Sequence, residues 1–366
     1  MKNTEKSNSR RTFLKGALIN GAALSAFPLS AYDRHEIYHD GADITNEIPR
    51  LPLKIMMGSG LSTQHEEKLK SLSPEITLIN HDDATGVETV DAWFGGISEE
   101  KFKKAGKLRW IQSPSAGVEH YMYPSLINSS VVLTNAKGCY GPAIGEHTIG
   151  LLFSLTRKLT EQAHNMKTGK WERPGGMVEM KGMTMGIVGL GGIGSQVARR
   201  ARAMDMQVIA VDIVPKYKEQ IGDICDELRL VQDGGLHWML SQADVVVSAT
   251  PHTKVSEGMF GASEFGIMKK GAYFINVSRG KLVKTPALLA ALTSGHLAGA
   301  GLDVTDPEPL PSDHGLWKLP NVIITSHIAA QSQYSHDRMQ DVFVENVRRY
   351  INGLPMLNQV DKEMGF

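Results

Sequence analysis

The sequence predicts an α/β protein made of two doubly wound parallel sheets with a ligand cleft between them. Three observations carry this. Short apolar runs alternate with helical patterns along most of the chain. The alternation runs through two successive series, separated by a Pro-Gly-Gly stretch at 174–176. A glycine-rich turn joins strand to helix at the head of the second series. Parallel strands need a long crossover, usually helical, so regular alternation points to parallel sheets. A ligand then belongs beyond the carboxyl ends of the strands, where the strand order reverses.

In the first series, LKIMM (53–57), EITLIN (75–80), DAWF (91–94), RWIQS (109–113) and VVLTN (131–135) read as strands. Their apolar residues run together instead of alternating, as in strands buried on both faces. Residues 141–171 begin with Pro142 in a first turn and continue at helical spacing, which predicts one long helix. The second series opens with MGIVGLGGIGSQVARRARAM, a strand, a turn and a helix starting near Ile193. QVIAVD (207–212), DVVVSAT (244–250), AYFINVS (272–278), LAGAGLDV (297–304) and NVIITSH (321–327) follow as strands. A last helical pattern runs from about residue 330 to Ile351 and stops at Asn352-Gly353. This organisation predicts a substrate domain of residues 52–150 with 331–353, and a nucleotide-binding domain of 151–330.

Lys plus Arg equal Asp plus Glu at 39 each, so nothing electrostatic points to nucleic acid. Cys139 and Cys225 match no metal or redox spacing and read as buried thiols. No cluster of His, Cys, Asp and Glu has ligand spacing, so no metal is expected. The N-terminus has its own pattern. Ser9, Arg10, Arg11, Thr12, Phe13, Leu14 and Lys15 precede the uncharged run 16–32. That run is short of the ~20 apolar residues a spanning helix needs. It resembles a twin-arginine export signal, which predicts a removable segment of residues 1–31, a cut near Ala31 and a periplasmic destination.

GLGGIG places Gly189, Gly191 and Gly194 in a G-x-G-x-x-G pattern. It follows an apolar strand, opens a helix and is followed by Asp212 at the end of the next strand, the context of a Rossmann dinucleotide site. Gly189 allows the tight turn, Gly191 the approach of the pyrophosphate, and Gly194 close packing of helix on strand. The amides of Gly192 and Ile193 face the phosphates. Asp212 is placed to accept from the adenosine ribose hydroxyls and to repel a 2′-phosphate. NAD is therefore expected over NADP, and the nearest following cation is Lys216.

Three polar residues fall at or just past strand ends of the second series: Arg279, Glu308 and His327. A histidine there can exchange a proton near neutral pH, and a neighbouring carboxylate favours its imidazolium form. An arginine can grip a substrate carboxylate with two parallel hydrogen bonds. GIVGLGGIG, INVSRGKLV, AGLDVTDPEPLP and NVIITSHIAA, with QSPSAGVEH (112–120) and TNAKGCYGPAIGEHTIG (134–150), resemble the D-isomer-specific 2-hydroxyacid dehydrogenases over roughly residues 52–353. The resemblance implies that His327 is the general acid/base, Glu308 its partner, and Arg279 the carboxylate-binding and carbonyl-polarising group. It implies further that the amides of Ala116 and Gly117 hold the substrate carboxylate. Gly95 would border the substrate, and Pro251, Val277 and Asp303 would touch the nicotinamide end of the cofactor. A homodimer is also implied. The chain departs from the family pattern at Ser326, where proline is usual, at Gly145, where alanine is usual, and at Thr305. The run PLPSDHGLWKLPNV most resembles the glyoxylate/hydroxypyruvate reductase branch. Other uses of the fold are an exported enzyme that recycles a tightly bound NAD, and a non-catalytic NAD-binding sensor. His147 reads as a packed structural histidine and His252 as a loop residue, while Trp93, Trp110 and Trp317 read as core or interface aromatics.

Overall fold

The computed structural model describes residues 50–80, 82, 86–215 and 221–366. The export-signal segment and Lys216 lie outside the described residues. The first series forms β1 (Leu53–Met57), α1 (Thr63–Leu72), β2 (Ile76–Asn80), β3 (Ala92–Phe94), α2 (Glu99–Lys104), β4 (Trp110–Gln112), α3 (Pro124–Ile127) and β5 (Val132–Thr134). Its sheet has the order β2-β1-β3-β4-β5 with every pair parallel. Ser62 and Ser98 cap the starts of α1 and α2, each hydroxyl accepting a first-turn amide.

The chain then forms α4 (Gly141–Thr156), α5 (Leu159–Lys167), β6 (Thr184–Val188), α6 (Gly192–Ala203), β7 (Gln207–Asp212), β8 (Glu227–Leu230) and α7 (Gly235–Gln242). β9 (Val245–Ser248), α8 (Ala262–Ile267), β10 (Ala272–Asn276), α9 (Thr285–Thr293), β11 (Leu297–Leu302), β12 (Val322–Ile324) and α10 (Ser335–Ile351) complete it. The second sheet is also wholly parallel, in the order β12-β11-β10-β9-β6-β7-β8. Both orders reverse within the sheet, as in the expected doubly wound folds.

Each sheet is buried on both faces. Met185 and Ile187 of β6 pack with residues of α4 and α6 on one side, while Val188, Val246 and Phe274 pack with α7 and α9 on the other. The five-stranded sheet is covered by α10, whose Phe343 stacks on Phe94 with centroids 4.0 Å apart. Trp93 and Trp110 are buried in this half.

Four features differ from the sequence expectation. The long helix expected over 141–171 is two helices, because Lys158 takes a left-handed conformation at φ 56° between them. The closing helix starts at Ser335, later than the pattern suggested. β8 had no apolar run to announce it, because only Leu228 of this edge strand is buried. The chain also continues past α10 and returns to the first sheet. There Gln359 bridges Thr134, Val360 is buried, and Lys362 Nζ donates to the carbonyls of Leu126, Ser129 and Val131.

Candidate active site

The glycine turn lies at the carboxyl end of β6, beside β9, where the strand order reverses. Its three glycines are required for three different reasons. Gly189 has φ 90°, a conformation L side chains rarely adopt. Gly194 has no room for a side chain, since a Cβ would lie 2.0 Å from the Gly189 carbonyl oxygen. Gly191 has an ordinary φ of −80°, and a Cβ there would meet nothing within 4 Å. Neither conformation nor protein packing demands glycine at 191. It lines an open cleft of about 350 Å³, where only a bound group would be obstructed.

The residues present fit a dinucleotide. Gly191 is the N-cap of α6 and offers no side chain to the first-turn amides, so the positive end of the helix is left for an anion. Asp212 closes β7 and lines the same cleft. Its Oδ2 accepts from the amide of Leu190 at 2.8 Å, and Oδ1 accepts from Ile213 and Val214 at 2.7 and 3.0 Å. A carboxylate has about four acceptor sites, so roughly one remains for a ligand hydroxyl. Asp212 therefore also ties the glycine turn to the loop after β7.

Arg279 reaches from the end of β10 to the first-series side of the cleft. Its Nε donates to Glu119 Oε1 at 2.7 Å and its Nη1 to the Ser278 carbonyl at 2.8 Å. Its Nη2 lies over Gly117, where a Cβ would come within 1.8 Å of it. Ala116, Gly117, Glu119, Pro251 and Arg279 all line the cleft with the glycine turn. Burial pushes the neighbouring His120 imidazole below its ordinary value, with Glu119 opposing the shift and Arg279 adding to it.

His327 Nδ1 and Glu308 Oε1 are 2.7 Å apart, and both side chains are partly exposed. His327 has φ 54°, a sparsely populated conformation for a residue with a side chain. Asp303 holds this backbone in place. Its carbonyl accepts the His327 amide at 2.8 Å, and its carboxylate accepts the amides of Ile328 and Ala329, both at 3.0 Å. Thr325 Oγ1 donates to the same carboxylate at 2.6 Å, and His147 Nε2 lies 2.9 Å from Thr325 Oγ1. Asp303 is 2% exposed and is not among the residues lining the cleft. Gly95 is buried with φ 120°, and its carbonyl accepts from Tyr121 Oη at 2.8 Å. Val277 is buried and does not line the cleft, whereas the next residue, Ser278, does.

Residues 149–329 match the profile of the "D-isomer specific 2-hydroxyacid dehydrogenase, NAD binding domain" family. A glyoxylate reductase of Thermofilum pendens is 33% identical over 273 residues, which cover 73% of this chain and 79% of that one. The chain belongs to the D-isomer specific 2-hydroxyacid dehydrogenases. A family member from Xanthobacter autotrophicus Py2, solved with NADPH and MES, superposes with a TM-score of 0.74 at 25% identity over 86% of this chain and 100% of that one. A D-3-phosphoglycerate dehydrogenase of Archaeoglobus fulgidus is 33% identical over 268 residues, 72% of this chain. The match spans only 49% of that enzyme's length. The family's relatives are NAD(P)-dependent oxidoreductases of 2-hydroxyacids. Among the described residues of this dehydrogenase, no helix is long and apolar enough to cross a membrane.

The structure brings Ala116, Gly117 and Arg279 together, pairs His327 with Glu308, and collects Gly189, Gly191, Gly192, Ile193, Asp212 and Pro251 around one cleft. Glu119, Lys137 and Phe366, which no sequence motif singles out, line the same cleft. Glu119 stands inside the run QSPSAGVEH, but no spacing rule connects it to an arginine 160 positions later.

Proposed function

We propose that this dehydrogenase reduces a small 2-oxoacid to the D-2-hydroxyacid with NADH, and runs the reverse reaction with NAD. The observation that carries the reading is Arg279 Nη2 over Gly117, in the cleft that also holds the glycine turn. Bound NADH supplies the hydride for the carbonyl carbon. Arg279 takes the substrate carboxylate, with the amides of Ala116 and Gly117 beside it. The Nδ1–H of His327 stays on Glu308, so Nε2 is the atom that gives the carbonyl oxygen its proton. Asp212 at the ribose position favours NAD over NADP, because a 2′-phosphate would meet its carboxylate. The 309–322 run supports glyoxylate or hydroxypyruvate as substrate.

The test is His327→Ala, assayed with glyoxylate and hydroxypyruvate and titrated with NADH by nicotinamide fluorescence. The expected kcat falls by about 10²–10⁴, the usual worth of a positioned acid/base, while NADH affinity is kept. A variant with wild-type kcat would refute the assignment.

The reading extends to assembly and location. Leu159 and Met166 on α5 and Trp171 just after it are exposed, Trp171 at 96%, and large apolar side chains left in the open support a homodimer, testable by sedimentation. The motif at Arg10 and Arg11 supports export of the folded enzyme to the periplasm, and exchanging both for lysine should retain it in the cytoplasm. The same motif favours a second reading, in which NAD stays bound and is recycled. Stoichiometric nucleotide released by denaturing the exported protein would establish that version.

A further inference from the structure

Glu119 stands beside the place where the proposed substrate's carboxylate would arrive. Its Oε1 takes the Nε–H of Arg279, and its Oε2 lies 2.7 Å from where a Cβ on Gly117 would sit. That is the same small volume that Arg279 Nη2 enters. The acid is not free to swing away with a loop. It opens the short turn Glu119–Tyr121, whose Tyr121 is fully buried and hydrogen-bonded to Gly95. Both members of the pair line the cleft and are only about one-third exposed, at 34% for Arg279 and 31% for Glu119.

Two consequences follow from the chemistry. A guanidinium has five N–H donors in a fixed plane. With Nε held by Glu119 and Nη1 partly by the Ser278 carbonyl, the plane is locked and Nη2 is the group presented to a ligand. The charge is altered as well. An arginine alone would attract any anion, and more strongly the more charge it carries. Arginine paired with a fixed carboxylate gives a nearly neutral site, in which each further negative charge meets repulsion from Glu119 in a partly desolvated cleft.

We propose that Glu119 is a positioning and charge-selecting residue: it orients Arg279 through Nε and restricts the site to 2-oxoacids with a single carboxylate and an uncharged remainder. Dicarboxylate and phosphorylated 2-oxoacids are excluded by its charge. This rests on the 2-oxoacid reductase reading above, and the experiment separates the two.

The probes are oxamate and oxalate, near-isosteric anions of one and two charges, titrated against the enzyme saturated with NADH. Glu119→Gln keeps an oxygen that can accept from Nε while removing the charge. It should raise the affinity for oxalate relative to oxamate by about tenfold, the effect of roughly 1.4 kcal/mol of relieved repulsion. Glu119→Ala also removes the acceptor, and should lose affinity for both anions relative to Glu119→Gln. A purely structural role would weaken both anions together and leave their ratio alone. An oxalate-to-oxamate ratio within about twofold of wild type in Glu119→Gln overturns charge selection. Equal oxamate affinity in the two variants overturns the orienting role. These titrations need no turnover. Wild-type enzyme that binds both anions but reduces no 2-oxoacid would refute the functional reading alone, while the ratio would still decide the role of Glu119.

Discussion

Alanine at Gly194 and alanine at Gly191 should have opposite consequences. At Gly194 the new Cβ starts 2.0 Å from the Gly189 oxygen, 3.0 Å from its carbon and 3.2 Å from Ile187 Cγ2, whereas ordinary contact begins at 3.4 Å. Gly189 has little room to retreat. Its amide is bonded to the Val211 carbonyl at 2.8 Å, and the backbone of Ala249 and Thr250 lies close against its other side. Overpacking that backbone cannot absorb costs about 1–3 kcal/mol, and this rigid site belongs at the upper end. With roughly 2–4 °C lost per kcal/mol in a domain of 150–250 residues, Gly194→Ala should melt about 6–12 °C below wild type. At Gly191 the Cβ meets nothing within 4 Å and φ is −80°, so Gly191→Ala should melt with the wild type. Its NADH affinity should fall by about tenfold or more, because the methyl enters the path of the pyrophosphate. Calorimetry and fluorescence titration of both variants make the comparison. A Gly194→Ala protein with wild-type melting would show that the turn is not tightly packed. Wild-type NADH affinity in Gly191→Ala would show that the dinucleotide does not cross this residue.

Asp303→Asn tests whether Asp303 serves the loop of His327 or the cofactor. The amide nitrogen cannot accept one of the loop amides, which leaves a buried donor unpaired at about 1–3 kcal/mol. The expected kcat falls by about tenfold or more while the NADH dissociation constant moves less than about threefold. An equal loss in both would put Asp303 on the nicotinamide, as the family resemblance implies. Glu345 carries a pH dependence. Burial pushes its carboxyl up, but hydrogen bonds from Arg348 and Arg349 outweigh this and hold it below its ordinary range. A carboxyl lowered in the folded state adds stability above its unfolded value of about 4.3, and that stability disappears as pH falls through the folded value. Acid melting curves of Glu345→Gln should therefore decline less steeply than wild type below about pH 4.5, and parallel curves would contradict the assignment.

Much of the fold was legible because parallel strands buried on both faces are written as unbroken apolar runs. LKIMM and QVIAVD became β1 and β7 at the expected residues. What escaped had no such local signature. β8 buries one side chain on an edge. The break at Lys158 turns on a single left-handed residue that any helical periodicity reads straight through. The return of the chain after α10 is held by Lys362 on three carbonyls more than 230 positions away, and no local pattern specifies such a contact.

The site divides along the same line. Strand ends announce Arg279 and His327, since a parallel sheet delivers whatever follows its strands to one edge. The glycine motif is legible because Gly189 and Gly194 answer constraints set within a few residues, while Gly191 falls at the spacing of the motif. The partners that orient those groups are a different matter. Glu119 fixes Arg279 from a short turn after β4, and Asp303 fixes His327 through backbone amides that no side-chain pattern can reveal. The sequence therefore exposes the groups proposed to meet a substrate more readily than the groups that hold them in place. Arginine held by a carboxylate and arginine held by a neutral group present the same motif with different charge. The choice of 2-oxoacid here should accordingly follow Glu119 more closely than it follows the Arg, Glu and His set.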